Sequence, residues 1–190
     1  MKSVFLIGDS IRLGYCDFVK DELKGIANVV YPEDNCRYTQ YTFVSLSSWG
    51  EPVDNPENVD IVHWNNGHWD AAHWNNDIKS LNTPEQYAEM LKRIYKQLKL
   101  FFPNAKIIFA LTTPMNPDGS QGNNPRTTEE IRKYNDVAID VMKKLNVPVN
   151  DLFTLMENAS SSLYSDFCHF TNAGYKILAD QVTKTIKEFL

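Results

Sequence analysis

Apolar and polar positions along the chain change their period several times, and each change marks an element. Residues 3–7 (SVFLI) make an apolar run short enough for a buried strand. Over 11–25, Leu13, Phe18, Val19, Leu23 and Ile26 recur at three- and four-residue steps, which predicts a helix, with Gly25 as its stop. ANVVY at 27–31 predicts a second strand, closed by Pro32. The stretch 32–58 is irregular, polar and aromatic, with a short helix predicted at 41–49. VDIVHW at 59–64 reads as a third strand. The clearest helix is 84–101: Thr83 is a good N-cap, Pro84 suits the first turn, and Tyr87, Met90, Leu91, Ile94, Leu98 and Phe101 form one stripe. AKIIFAL at 105–111 predicts a fourth strand, followed by a loop rich in Pro, Asn and Gly from Thr112 to Arg126. A helix over 127–145 opens on TTEE, a capping-box pattern; a short strand is predicted at 147–150 and a closing helix from Asn172 to Leu190.

Alternating strands and helices at this spacing imply βαβ units, hence a parallel sheet covered on both faces. The expected fold class is α/β: a three-layer α/β/α sandwich with a mainly parallel sheet of about five strands. Residues 1–190 are read as a single domain, because no repeat, linker or low-complexity tract interrupts the pattern.

Composition narrows the partners. With 43% hydrophobic residues in 190, the chain can bury a sizeable core. Its 19 basic and 24 acidic residues give a formal charge of −5, with no Lys/Arg cluster, which argues against a nucleic-acid partner. Apolar runs are too short to span a bilayer and no secretory signal is visible, so no membrane partner and a cytoplasmic location are expected. The three cysteines (Cys16, Cys36, Cys168) fit reduced thiols.

In an open parallel sheet, the loops at the carboxyl ends of the strands build the binding site. Those loops carry Gly8, Asp9 and Ser10; Asn35, Cys36 and Arg37; Asn65, Asn66, Gly67, His68, Trp69 and Asp70; and Thr112, Thr113 and Pro114. The loop before the last helix adds Asp166 and His169. A serine attacks an acyl carbon only if a base takes its proton; histidine suits that role near neutral pH, and a carboxylate on the other ring nitrogen fixes its tautomer. Ser10, His169 and Asp166 are therefore the candidate nucleophile, base and orienting acid. The oxyanion formed on attack needs preorganised donors. The Ser10 N–H at a helix start is one, and backbone amides near Cys36 and a side-chain amide of Asn65 or Asn66 are further candidates.

FLIGDSI near the N-terminus, with Ser10 in the nucleophile position, and DFCHFTNAGYKILAD near the C-terminus, with Asp166 and His169, together resemble the SGNH or GDSL-type hydrolases. These are esterases and lipases named for a Ser, Gly, Asn and His in four sequence blocks, and the resemblance spans nearly the whole chain. It implies a flavodoxin-like sheet and ester hydrolysis through an acyl-enzyme. The middle blocks differ from the family pattern. NNGHWD keeps Gly67 and Asp70 of the third block but has Trp69 where the donor Asn stands. The sequence is similar here to a branch with N-x-G-x-W-D, which implies Asn65 as the substitute donor and makes Asn66 and Gly67 poorer choices. The second block's Gly is absent from EDNCRYT, leaving the N–H of Cys36 or Arg37.

Other residues take plainer readings. Five-residue steps between His63, His68 and His73 point the rings apart, so no metal site and no cofactor are expected; His63 is read as buried, His68 and His73 as rim or surface. Trp64 and Trp69 fit the core, and Cys168, adjacent to His169, is read as packing away from it. Arg12 and Arg37 are the cations expected nearest the site. Asp9, Arg37, Tyr38, Trp69 and Trp74 complete the candidate substrate-binding set. The expected function is a serine ester hydrolase for short acyl esters, with O-acetylated carbohydrate or another small molecule as partner. The alternative is a carbohydrate- or acyl-binding domain that keeps the fold and has lost turnover. A mononucleotide binder would need a phosphate loop richer in Gly, Ser and Thr than GDSIRLGY.

Overall fold

A computed structural model describes residues 1–50, 53 and 55–190. Five strands, β1 (Lys2–Ile7), β2 (Ala27–Val30), β3 (Ile61–Trp64), β4 (Lys106–Ala110) and β5 (Val149–Asn150), form one parallel sheet in the order β2-β1-β3-β4-β5. The helices are α1 (Ser10–Glu22), α2 (Thr39–Gly50), α3 (Pro84–Phe101), α4 (Thr128–Lys144), α5 (Leu152–Met156) and α6 (Asn172–Lys187).

Alternation along the strands divides the interior in two. Val4, Leu6, Ile61 and Ile108 pack against Ile11, Tyr15 and Val19 of α1 and Leu178 and Val182 of α6. Phe5, Ile7, Val62, Trp64, Ile107 and Phe109 face Leu46 of α2, Leu91 and Ile94 of α3 and Ile131 and Ala138 of α4. The sheet is thus the middle of three layers, and each side chain removed from water this way contributes about 1.5–3 kcal/mol. The predicted capping box forms, Thr127 with Glu130, and Thr83, predicted as an N-cap, makes a second box with Gln86.

Helix α1 ends at Glu22, short of the expected Gly25, and its buried face is Ile11, Tyr15, Cys16 and Val19 with Arg12, while Ile26 is exposed. The fifth strand keeps only two of the four expected residues. The largest difference lies in 32–58, of which 51, 52 and 54 fall outside the described residues. Here α2 is a full twelve-residue helix. Its first N–H, from Thr39, donates to the carboxylate of Asp70, 3.1 Å away in the loop after β3. That cap comes from another part of the chain, so no local pattern announces it. Helix α5, capped by Asp151, was also not expected. No helix among the described residues is long and apolar enough to cross a membrane.

Register sets the position of the site. Ile7 pairs with Trp64, and Trp64 with Phe109, so the carboxyl ends of β1, β3 and β4 lie nearly level. Connections leave β1 toward β2 on one side and β3 on the other, and a crevice opens where they part.

Candidate active site

The turn after β1 is tightly packed. Gly8 sits where a Cβ would lie 1.8 Å from Asn65 Oδ1, so no larger residue fits. The fully buried Asp9 is the N-cap of α1, its Oδ1 accepting from the Ile11 N–H at 3.0 Å. Burial pushes its carboxyl above the ordinary range, and the Asn65 amide and the Ile11 N–H pull only partly against this. Ser10 is then the first helical residue, and its N–H has no acceptor within the helix.

His169 reaches this turn from across 159 residues of chain: its Nε2 lies 2.7 Å from Ser10 Oγ. Its Nδ1 lies 2.7 Å from Asp166 Oδ2, while Asp166 Oδ1 accepts from the N–H groups of Cys168 and His169, each at 2.8 Å. One carboxylate oxygen thus shapes the loop and the other orients the ring. Burial raises the Asp166 carboxyl, but these hydrogen bonds and the imidazole outweigh it and the group ends below its ordinary value. An ionised Asp166 accepts the Nδ1 proton, which leaves Nε2 as the acceptor facing the serine hydroxyl. Asn116 anchors the loop, its N–H donating to Phe167 O and its side chain to Asp166 O, both at 2.9 Å.

The candidate oxyanion donors fare differently. The Cys36 N–H donates to Gly8 O at 3.0 Å, and Cys36 Sγ accepts from Gly8 N–H at 3.3 Å. Cys36 is fully buried and staples the β2–α2 loop to the serine turn, so its amide is not free for an oxyanion. The Arg37 N–H is engaged too, at 2.9 Å from Asn35 Oδ1. Asn66 is occupied throughout: it donates to Arg37 O and Thr42 Oγ1 and accepts from Trp64 Nε1. Gly67, at φ +150°, has no room for a side chain, Thr112 Oγ1 lying 2.1 Å from where a Cβ would be. Asn65 lies against Gly8 with its Oδ1 unpartnered, and Asn35 lies beside Ser10 in the wall of a cavity.

That cavity, of about 130 Å³, is lined by Ser10, His169, Asn35, Trp69, Trp74, Asn124, Arg126, Phe167 and Cys168. Trp69 and Trp74 pack together, ring centroids 4.8 Å apart, and both line the cavity; Trp69 is half-buried there, so of its two readings the core one does not hold. Asp9, Arg37 and Tyr38 are not among the lining residues. Asp9 is held in its cap, Tyr38 packs near Tyr41, and the Arg37 guanidinium stacks 4.5 Å over Tyr41 and 6.0 Å from Trp69. Arg12, expected near the site, is fully buried and donates to the carbonyls of Pro32, Gly8 and Asp34 at 2.7, 3.2 and 2.6 Å.

The cation that does reach the cavity is Arg126, which sequence reasoning missed. Its only signal is its place at the end of the loop after β4, just before the Thr127 cap. Arg126 Nε donates to His68 Nδ1 at 3.2 Å, and His68 Nε2 lies 3.1 Å from Thr113 Oγ1. A guanidinium donates only, so the His68 proton sits on Nε2. His68 is buried, not on the rim, and burial followed by the Arg126 charge drives its pKa far down, keeping it neutral. Cys168 also departs from expectation: it takes a hydrogen bond from Arg126 Nη2 and its Sγ lies 3.7 Å from His169 Nδ1.

The ligand atoms of Asp166, Cys168 and His169 lie within 4.8 Å of one another, the one such cluster among the described residues. Burial pushes the Cys168 thiol up to about 12, so it stays protonated at neutral pH and makes a poor metal ligand. The other histidines go to separate partners: His63 to Asn150, His73 to Glu130.

An α/β/α sheet presenting a Ser–His–Asp chain at its carboxyl edge defines a class of serine-hydrolase-like proteins. The sequence model of the GDSL-like lipase/acylhydrolase family matches residues 75–177, more than half of the chain, and the chain belongs to that family. The matched stretch includes Asp166 and His169 and begins after Ser10. Among curated relatives, the GDSL esterase/lipase WDL1 of Oryza sativa subsp. japonica is 23% identical over 114 residues, 55% of this chain; the match spans 44% of that relative's length. Among solved structures, the acetyl xylan esterase AlAXEase superposes with a TM-score of 0.76 at 16% identity over 97% of this chain and 99% of its own. Est24, a carbohydrate acetylesterase from Sinorhizobium meliloti, gives 0.75 at 13% identity, with all of both chains covered.

Proposed function

We propose that the protein is a serine ester hydrolase acting on short-chain acyl esters, with O-acetyl groups on carbohydrate as its substrate class. The observation that carries the reading is the hydrogen-bonded chain Ser10 Oγ–His169 Nε2–Asp166, at 2.7 Å in both links. His169 takes the Ser10 proton as Oγ bonds to the acyl carbon, and then gives it to the departing alcohol oxygen as the ester C–O bond breaks. Water repeats the sequence on the acyl-enzyme, its proton passing through His169 back to Ser10 as the acid leaves. Asp166 holds the imidazole in one tautomer and balances its transient charge. The Ser10 N–H and the amides of Asn35 and Asn65 are assigned to the oxyanion.

A small acyl group follows from size. The cleft, at about 130 Å³, holds an acetyl group with a few further atoms beside Ser10. The tryptophan wall suits the apolar face of a sugar ring. The names of AlAXEase and Est24 support the carbohydrate choice as properties of those proteins. A binding domain without turnover is the second reading, favoured by the engaged Cys36 and Arg37 amides. Turnover of p-nitrophenyl acetate decides between them: the wild type hydrolyses it, and Ser10→Ala lowers kcat by ~10³-fold or more. No turnover by folded wild type on this or an acetylated sugar sinks the esterase reading.

A further inference from the structure

Arg126 is a buried cation with no carboxylate in direct contact; Asp9 and Asp166 act on it only from a distance. It is 5% exposed, and among the described residues no carboxylate oxygen lies within 4.0 Å of its guanidinium. Removing a charge from water without a paired charge is expensive, and buried arginines are normally paired or ringed by acceptors. Arg12 shows the ringed case, with three backbone carbonyls taking its terminal N–H groups. Around Arg126 the acceptors run out. Nε donates to the neutral His68, Nη1 to Asn124 O at 3.1 Å, and Nη2 to Cys168 Sγ at 3.5 Å, a weak acceptor. Of its five N–H donors, one on each terminal nitrogen is left over, and the two terminal nitrogens are able to take a carboxylate end-on. The Phe167 ring, 5.2 Å from Cζ, stacks on the guanidinium without supplying an acceptor. Arg126 shares the cavity wall with Ser10 and His169.

We infer that Arg126 is the specificity-determining residue of this site and that the substrate is an anionic ester, carrying a carboxylate close to the scissile acyl group. This rests on the hydrolase reading above and narrows its substrate class. The carboxylate belongs either to the acyl half or to the alcohol half, as in an acetylated acidic sugar; its chemistry toward Arg126 is the same in both. It supplies the direct ion pair that Arg126 lacks, in a partly enclosed site where charges interact more strongly than in open water. A neutral ester leaves the guanidinium unpaired and gains nothing from it.

Paired esters test this. Mono-(4-nitrophenyl) succinate is compared with 4-nitrophenyl butyrate for an acid in the acyl half, and 4-acetoxybenzoate with its methyl ester for an acid in the alcohol half. The wild type is expected to favour the anionic member of one pair by about ten- to a hundredfold in kcat/KM, mainly through KM, the range of a charge-assisted hydrogen-bonded pair. In Arg126→Gln the ratio falls to about one; Arg126→Lys, which keeps the charge without the fork, restores part of it. A ratio divides out any general loss of folded or active enzyme, so a merely structural role for Arg126 does not move it. Turnover of neutral esters with no anionic preference in either pair, or a preference that persists in Arg126→Gln, overturns the inference and leaves the hydrolase reading standing. If no ester is turned over, binding is read instead: mono-(4-nitrophenyl) succinate or 4-acetoxybenzoate raises the Tm of the wild type but not of Arg126→Gln if the assignment is right, and it is wrong if neither compound does so or if the rise persists in Arg126→Gln.

Discussion

The two halves of the site are built on opposite plans, each around a buried arginine. On the nucleophile side, Asp9, Arg12, Cys36 and Asn65 are all buried and tied to the backbone around them, Arg12 to three carbonyls, Cys36 to Gly8 in both directions and Asp9 to the first turn of α1, although Asp9 Oδ2, Arg12 Nε and Asn65 Oδ1 have no partner among the described residues. On the base side, Asp166 is exposed, His169 is half-exposed, and the loop hangs on Asn116 and its own carboxylate. The serine is therefore positioned by the core and the base by a surface loop. Damage on the first side should appear as lost stability, and on the second as lost turnover.

Asp166→Asn tests this division with the largest expected effect. Asn keeps an Oδ1 to accept the loop N–H groups at 2.8 Å but favours the wrong imidazole tautomer. A fall of about 10²–10⁴ in kcat is expected, with folding stability changed by less than about 1 kcal/mol. Steady-state kinetics and urea unfolding of the same preparation read both. A large stability loss at unchanged kcat would reverse the assignment of roles to the two sides.

Arg12→Met is the converse experiment. It leaves the carbonyls of Pro32 and Asp34 short of a donor in a partly buried setting, while Gly8 O keeps the Cys36 N–H. At about 1–3 kcal/mol per unsatisfied group, with partial relief from water, a loss of about 3 kcal/mol is expected in urea unfolding. A loss below about 1 kcal/mol would mean that the nucleophile side is not organised by this side chain.

Asp70 connects the two plans, because it caps α2 from the loop after β3. Its Oδ1 accepts from Thr39 N–H, Thr39 Oγ1 and Asn82 Nδ2, yet burial dominates and raises its carboxyl from 3.8 to about 6. The folded state then holds a proton that the unfolded chain has released. The native protein gains from this group below pH 3.8, and the gain is lost as pH rises through about 6. Asp70→Asn, which cannot titrate, should flatten the stability profile between pH 4 and 7 by about 1–3 kcal/mol. Urea midpoints across that range measure it; a wild-type stability that rises with pH relative to the variant's would show the carboxylate stabilised, not strained.

Much of this was legible in the sequence, and what was not has a common cause. The strand–helix alternation rests on local periodicity, and α3 matches its expected ends, Pro84 and Phe101, because its cap and stripe are local. Ser10, Asp166 and His169 were legible because a chemical role ties residue types at opposite ends of the chain. Helix α2 was only partly legible, since Asp70 caps it from 31 residues away. The donors near Cys36 were misjudged because the partner of that N–H, Gly8 O, lies 28 residues upstream. Arg12 and Arg126 look alike as letters, and only their acceptors separate a structural cation from one facing the cavity.

Arg37 sharpens the comparison with the smallest effect. It holds φ +51°, a left-handed conformation that costs a side-chain-bearing residue about 1–2 kcal/mol relative to glycine. The family resemblance places a glycine in this loop. The strain is offset in part by the stack on Tyr41, 4.5 Å away, and such cation–π contacts contribute about 0.5–1 kcal/mol when exposed. Arg37→Gly should therefore raise stability by up to about 1 kcal/mol, read as a shift in urea midpoint at constant slope. Because Arg37 lies outside the cavity lining, the anionic-ester preference assigned to Arg126 should survive the change. If Arg37→Gly abolishes that preference while Arg126→Gln spares it, the selecting cation sits on the nucleophile side after all, and the division of labour between the two halves fails.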